Sequence, residues 1–109
     1  MEFTKQIADT IIKQMGGASV LRIMVGASDF SYGTIDYKGF VQSYGMFKFK
    51  MNTKLKYVRV IYDEGKDTYV MQFLGRTFKV HKEFEDVYCD ELVRIFEETT
   101  GLYLKLWDK

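Results

Sequence analysis

Apolar residues recur at helical spacing near both ends of the chain. Across residues 3–15 they fall four apart, which places them on one face of a helix. The glycine pair 16–17 suits the left-handed conformation that ends a helix. Across residues 87–100 they again share one face, and Asp86 stands where an N-cap acceptor belongs. The pattern therefore predicts helices over about 3–15 and about 87–100.

Between these helices the pattern predicts strands within residues 19–82. Short runs rich in β-branched and aromatic residues, or alternating with period two, carry this prediction; they are 20–25, 46–51, 57–62, 69–74 and 77–80. The polar residues 63–67 include a glycine and form the turn of a hairpin. Residues 31–45 have no clean period, which indicates a loop or an irregular hairpin.

The order of these elements predicts an α+β fold. An antiparallel sheet of about four to five strands, with the N-terminal and C-terminal helices packed on one face, buries every apolar stripe. Residues 1–109 form a single domain in this interpretation, because no Pro-rich or Ser-rich linker interrupts them. In the tail 102–109, leucines alternate with other residues, which predicts a final strand or a packed extension.

Composition narrows the functional classes. The 109 residues are 47% apolar and 28% charged, which is globular composition, and the net charge of +1 excludes a uniformly basic or acidic binder. One cysteine and one histidine exclude an intramolecular disulfide and ordinary zinc clusters, so we expect no metal site. No signal-peptide pattern and no apolar run of about 18 residues occur, so we expect a cytoplasmic protein that does not contact membranes.

The near-zero net charge conceals two opposed segments. Residues 37–62 carry a charge of +6 and residues 83–98 a charge of −6. In one interpretation Lys48 and Lys50 are solvent-facing strand positions that discourage edge-to-edge pairing. In the other, the basic strands bind a phosphate backbone or an acidic protein. Period two places Phe47 and Phe49 on the opposite face, which predicts that these two rings belong to the core.

The acidic segment allows similar alternatives. Its acids are expected on the solvent side of any helix, and those in the first turn stabilise the helix dipole. They also suit a surface that mimics phosphates, or one that meets the basic segment of a second copy and so forms a homo-oligomer.

No catalytic constellation is evident. His81 and Cys89 lie eight residues apart, but nucleophilic catalysis needs a base within hydrogen-bond reach and a third group to orient that base. The glycine pair 16–17 lacks the preceding strand and third glycine of a dinucleotide site. We therefore predict a non-enzymatic protein with no cofactor.

Three stretches together resemble a known family: residues 16–30, 56–73 and 87–106. They contain a glycine pair after an amphipathic helix, the element Gly26-Ala27-Ser28-Asp29-Phe30, a Tyr-Val strand, and a closing Thr100-Gly101-Leu102-Tyr103. The order and spacing are similar to those of small single-domain proteins encoded by bacteriophages, prophages and plasmids, a family whose activity is not established. The segment 31–45 looks longer here than in typical members.

The resemblance implies the genomic setting of a mobile element, whose small accessory proteins often bind host proteins. By this analogy we predict a non-enzymatic accessory protein that binds a host protein or protein complex, for example as an inhibitor of CRISPR or another defence system. The alternative is a small nucleic-acid-binding domain that uses the basic strands 48–59. Candidate contacts combine aromatic residues near the glycine-rich segment, the basic strands and the acidic helix: Phe30, Tyr32, Tyr37, Lys48, Lys50, Lys54, Lys56, Arg59, Glu91, Glu97 and Glu98.

Overall fold

The computed structural model describes residues 2–50 and 54–104. The elements follow the order α1 (Glu2–Gln14), α2 (Ala18–Val25), β1 (Ser28–Tyr37), β2 (Phe40–Lys48), β3 (Tyr57–Asp63), β4 (Thr68–Leu74), β5 (Val80–Val87), a short 3₁₀ helix (Cys89–Glu91) and α3 (Leu92–Thr100). The five strands form one antiparallel sheet in chain order. The predicted α+β class and antiparallel sheet are confirmed. No helix in the described ranges has both the length and the apolar content needed to cross a bilayer.

One buried cluster joins the helices to alternate side chains of the central strands. Its most deeply buried members are Ile11, Met15, Leu21, Val25, Phe47, Phe49, Val58, Val60, Met71, Phe73, Leu92 and Phe96. The ring of Phe96 in α3 lies 5.2 Å from that of Phe49 and 6.1 Å from that of Phe47. Both rings predicted to be core residues are therefore confirmed as such. The placement of both terminal helices on one face stays a prediction.

Close contact between α1 and β2 depends on a glycine. A Cβ atom on Gly45 would lie 3.2 Å from both Cα and Cβ of Ala8, so the helix backbone rests directly against the strand at this point. Nearby, the hydroxyls of Thr4 and Ser43 form a buried hydrogen bond of 3.0 Å. These contacts fix α1 over β2.

The sheet is strongly curved on the side opposite this cluster. The Tyr37 hydroxyl of β1 donates to Glu83 Oε2 of β5 at 2.8 Å, and Lys38 Nζ lies 2.8 Å from Glu85 Oε2. In a flat sheet the first and fifth strands stand about 19 Å apart, so the two edge strands must bend toward each other. Ile61, Val70 and Leu74 are buried but do not belong to the main cluster.

The strand predicted over residues 20–25 is wrong, because these residues belong to α2. Leu21 and Val25 are four apart and fully buried, whereas Ile23 between them is 69% exposed. This is helical and not strand periodicity, and an apolar run of six residues is too short to distinguish the two from composition. The helix ends at Gly26, which has the left-handed φ of 65°.

Residues 31–45 form a regular hairpin and not an irregular loop. β1 and β2 pair from Ser31–Met46 to Tyr37–Phe40, joined by a two-residue turn in which Lys38 and Gly39 have φ of 53° and 89°. Both positive angles are those of a type I′ turn. Because many β1 residues are exposed, the hydrophobic alternation that signals a strand is weak there.

The end of the chain also differs from expectation. The strand predicted over 77–80 lies instead at Val80–Val87, so Asp86 belongs to that strand and is not a helix cap. The helix predicted from residue 87 begins at Leu92. In the tail, Leu104 is buried as a packed extension with no strand assigned over 102–104, and residues 105–109 lie outside the described ranges.

Candidate nucleic-acid interface

A pocket of about 360 Å³ opens where β2 ends and β3 begins. The described side chains that line it are cationic or aromatic: Lys48, Phe49, Lys50, Lys56, Tyr57 and Arg76. No acidic residue is among them. This site is called the basic pocket below.

Strand pairing brings the lysines of the basic pocket together. Lys48 pairs with Tyr57 across β2 and β3. Just beyond β2, the Phe49 N–H donates to the Lys56 carbonyl at 2.9 Å. Because side chains alternate along a strand, Lys48 points to the face opposite Phe47. The lysines thus stand at the sheet margin while the neighbouring rings fill the core.

Arg76 reaches the same pocket from the turn between β4 and β5. Tyr57 pairs with Leu74, so the turn that follows β4 lies beside the start of β3. Sequence reasoning missed Arg76 because it lies outside the basic run of residues 37–62. The available signal was the predicted pairing of segments 57–62 and 69–74, whose register carries residue 76 back to the level of residue 55.

Lys50 is positioned by the end of α2. Its N–H donates to the Val25 carbonyl at 2.9 Å. The stem of its side chain crosses Gly26 so closely that a Cβ there would lie 3.0 Å from Lys50 Cδ. Glycine at position 26 therefore permits two things: the left-handed conformation that ends α2, and the close approach of the Lys50 side chain.

Three cations of the basic pocket take no part in the ion pairs formed among the described residues. Lys48, Lys50 and Arg76 form no ion pair with any acid in residues 2–50 and 54–104. Bases elsewhere do form such pairs; they are Lys5, Lys38, Lys66 and Arg94. Like charges held close together repel, and an anion bound among them relieves that repulsion.

Two aromatic rings extend the basic pocket toward solvent. Tyr57, which lines it, stacks on Phe78 with ring centroids 4.5 Å apart and an angle of 28° between planes. Phe78 is 50% exposed. A cationic pocket beside an exposed ring combines the two features that single-stranded nucleic acids require.

The other predicted bases have different surroundings. Arg59 is half-buried, its Nε donates to Gln72 Oε1 at 2.8 Å, and its guanidinium lies 5.8 Å from the centroid of Tyr44. Burial lowers the pKa of Arg59. Lys54 is exposed but does not line the basic pocket. The structure therefore brings Lys48, Lys50 and Lys56 together and leaves Arg59 outside.

The predicted acidic surface is divided between elements. Glu83, Glu85 and Asp86 lie on β5 rather than on a helix. The three acids proposed as contacts have partners within α3 and its neighbours: Glu91 and Glu98 pair with Arg94, and Glu97 accepts a hydrogen bond from the Leu104 N–H at 2.9 Å. Self-association through opposed patches stays a prediction.

The three aromatic candidates of β1 also differ. Phe30 packs on the core, 5.6 Å from the Phe47 ring, with the Arg22 guanidinium 5.0 Å above it. Tyr32 is 47% exposed. Tyr37 joins β1 to β5 through Glu83, and burial together with this hydrogen bond raises its pKa. Of these rings, Tyr32 offers the most surface to a partner.

A second pocket, of about 570 Å³, lies between the β1–β2 turn and residues 63–66. Beside it, Phe40 and Val41 are 70% and 71% exposed, although both are large apolar residues. Sequence analysis did not single out either residue, because residues 31–45 lack periodicity. This site is called the tip pocket below.

The residues considered for nucleophilic chemistry are far apart. His81 lies near the start of β5, and Cys89 follows its end and is exposed. The six strand steps from His81 to Val87 span about 20 Å, so no thiolate–imidazole pair forms. Within the described ranges, no group of three or more His, Cys, Asp or Glu residues has the arrangement of a metal site.

Comparisons with known proteins give no match, so a functional proposal rests on the geometry of these pockets. The chain matches no family model, no curated protein and no solved structure. The resemblance to phage, prophage and plasmid proteins therefore stays an expectation from the sequence.

Proposed function

We propose that this protein is a small nucleic-acid-binding domain whose basic pocket receives the phosphate backbone. The observation that carries the proposal is the convergence of Lys48, Lys50, Lys56 and Arg76 on one pocket with no acid in its described lining. Guanidinium and ammonium groups are the usual protein contacts to phosphate oxygens.

The physical basis is electrostatic. The end of β2, the start of β3 and the turn between β4 and β5 hold these cations in place, so the backbone ordering needed to assemble them is provided by the fold and not by the ligand. A nucleic acid bound there releases counterions, so its affinity falls as salt concentration rises. The net charge of +1 does not oppose this interpretation, because the acids of β5 and α3 have their own partners.

The test compares two variants that change the net charge equally. K48E/R76E reverses two cations of the basic pocket, and K5E/K13E reverses two lysines of α1. At about 50 mM salt, we expect K48E/R76E to bind a fluorescent oligonucleotide at least about tenfold more weakly than wild type, because phosphate contacts are lost. K5E/K13E should bind within about twofold of wild type. Equal losses in both variants would indicate a nonspecific charge effect and contradict the proposal.

The tip pocket favours a second function, which is binding of a host protein by a mobile-element accessory protein. Its supporting observation is the exposure of Phe40 and Val41 beside a pocket of about 570 Å³. Exposed apolar residues of this size at a pocket are typical of protein contact sites. In this function the partner belongs to a defence system such as CRISPR, as the sequence resemblance implies.

The second function is tested with F40S/V41T, which makes the tip polar while leaving the basic pocket unchanged. Immobilised wild-type protein should retain a host protein that F40S/V41T does not retain, and K48E/R76E should retain it normally. Retention of the same proteins by wild type and F40S/V41T would exclude the tip as the contact.

A further inference from the structure

We propose that the ligand of the basic pocket is single-stranded nucleic acid, with one base stacked on the outer face of Phe78. This inference rests on the proposed function, because the pocket that holds the phosphates is the same. It adds the class of nucleic acid and a residue that the charge pattern does not reveal.

The turn between β4 and β5 holds Phe78 in an unusual backbone conformation. The turn closes through the Gly75 N–H, which donates to the Lys79 carbonyl, and the Phe78 N–H, which donates to the Gly75 carbonyl, each at 3.0 Å. Phe78 has φ of 66°, a region that a bulky residue rarely occupies and that glycine occupies easily. An aromatic residue therefore occupies a backbone position whose φ favours glycine.

The ring of Phe78 contributes little to the core. It is half exposed and is not part of the main buried cluster. The Tyr57 ring stacks on it with centroids 4.5 Å apart. Residues in strained conformations with solvent-facing side chains occur frequently at binding sites.

Tyr57 connects the ring of Phe78 to the cations. It both lines the basic pocket and stacks on Phe78, so a base stacked on the outer face of Phe78 would lie one ring away from the pocket. A base stacked on that face would have its own phosphate near the pocket. Bases in a duplex are already stacked on each other, whereas those of a single strand are free to stack on a protein ring.

The experiment measures anisotropy of labelled oligonucleotides at about 50 mM salt with the full chain. The probes are a thymidine DNA oligomer, a uridine RNA oligomer and a DNA duplex of equal length. The variant is F78G, which keeps every cation and suits the positive φ, and the matched control is F40S, which removes an equally large exposed ring at the tip pocket. We expect F78G to lose roughly 5- to 150-fold in affinity for single strands, the range for one stacked base. Its duplex affinity and its salt dependence should stay unchanged.

Different failures have different meanings. If F78G binds single strands as tightly as wild type, or if wild type prefers the duplex, the stacking inference is overturned while nucleic-acid binding stands. If wild type binds none of the three probes, both proposals are overturned. As a second measurement on the wild-type protein, the Phe78 ring protons should shift upfield in NMR spectra when either single strand is added; unshifted protons at saturation would also overturn the inference. If F78G loses affinity for the DNA oligomer and not for the RNA oligomer, the site binds single-stranded DNA; the reverse result indicates single-stranded RNA.

Discussion

Tyr37 illustrates how a single side chain connects distant strands. Its hydroxyl donates to Glu83 Oε2 at 2.8 Å, although β1 and β5 are the two edges of the sheet. Glu83 Oε1 in turn accepts from Gln72 Nε2 at 2.8 Å, and Gln72 Oε1 accepts from Arg59. The curvature of the sheet is thus supported by a chain of polar contacts that begins at one tyrosine.

The pH dependence of this contact follows from the pKa of Tyr37, which burial and the bond to Glu83 raise above the ordinary value of 10.0. A pKa raised in the folded state means that the protonated phenol is stabilised by folding, so the contribution is complete below pH 10.0 and is lost as the pH rises through the folded-state value. We expect Y37F to lower the free energy of unfolding at neutral pH by about 1 kcal/mol. Urea unfolding of both proteins should show this difference shrinking at strongly alkaline pH.

A comparison with Tyr62 provides the control for the tyrosine measurement. The hydrogen bond from Tyr62 to Asp67 raises the pKa of Tyr62 to about 12. In an ultraviolet titration of the folded protein, Y62F should lack a step near pH 12, and Y37F should lack a different late step. A Y37F protein as stable as wild type at every pH would contradict the role given to Tyr37.

At the scale of elements, the strength of the local pattern decided which predictions were correct. The helix over 3–15 and the strands over 57–62 and 69–74 are confirmed. The helix has an apolar stripe at helical spacing, and the two strands are runs rich in β-branched and aromatic residues. α2 was mistaken for a strand because a six-residue apolar run fits either period. β5 was misplaced because it is a mostly exposed edge strand, whose charged side chains carry no hydrophobic alternation.

Only part of the candidate site was predicted, because only some of its residues lie in a local sequence pattern. Lys48, Lys50 and Lys56 follow from a basic run in the sequence, whereas Arg76 and Phe78 join them only through the pairing of β3 with β4. Arg59 belongs to the same basic run but does not line the basic pocket, and a charge count does not show that its side chain donates to Gln72. Its role as a contact residue stays a prediction. Local sequence indicates residue type, and the register of the sheet determines which residues meet.

The start of the last helix permits a test at this scale. Glu91 Oε1 accepts a hydrogen bond from the Tyr88 N–H at 3.0 Å, and its Oε2 pairs with Arg94. Glu98 pairs with the same arginine but makes no contact with the helix start. E91A should therefore lower the free energy of unfolding by about 1 kcal/mol, and the matched variant E98A by less than about 0.5 kcal/mol. Thermal or urea unfolding that ranks E98A as the more damaging change would contradict the capping role.

At the scale of the whole molecule, the net charge of +1 conceals an uneven distribution of charge over the surface. Lys38 and Lys66 at the tip pair with Glu85 and Asp86 of β5. The hydrogen bond from Lys38 holds the pKa of the Glu85 carboxyl below its usual range. At the opposite end of the sheet, the basic pocket brings together Lys48, Lys50, Lys56 and Arg76 with no acid in its described lining. The molecule is therefore electrically asymmetric although it is almost neutral.

The salt dependence of oligonucleotide binding tests the central claim most directly. If the four cations of the basic pocket each contact a phosphate, the logarithm of the binding constant for a single strand should fall with the logarithm of salt concentration with a slope of about −3. K48E/R76E should reduce that slope by about half or more, while K5E/K13E leaves it unchanged. Absence of binding at about 50 mM salt, or a slope that K48E/R76E does not alter, would contradict the claim that the basic pocket binds nucleic acid.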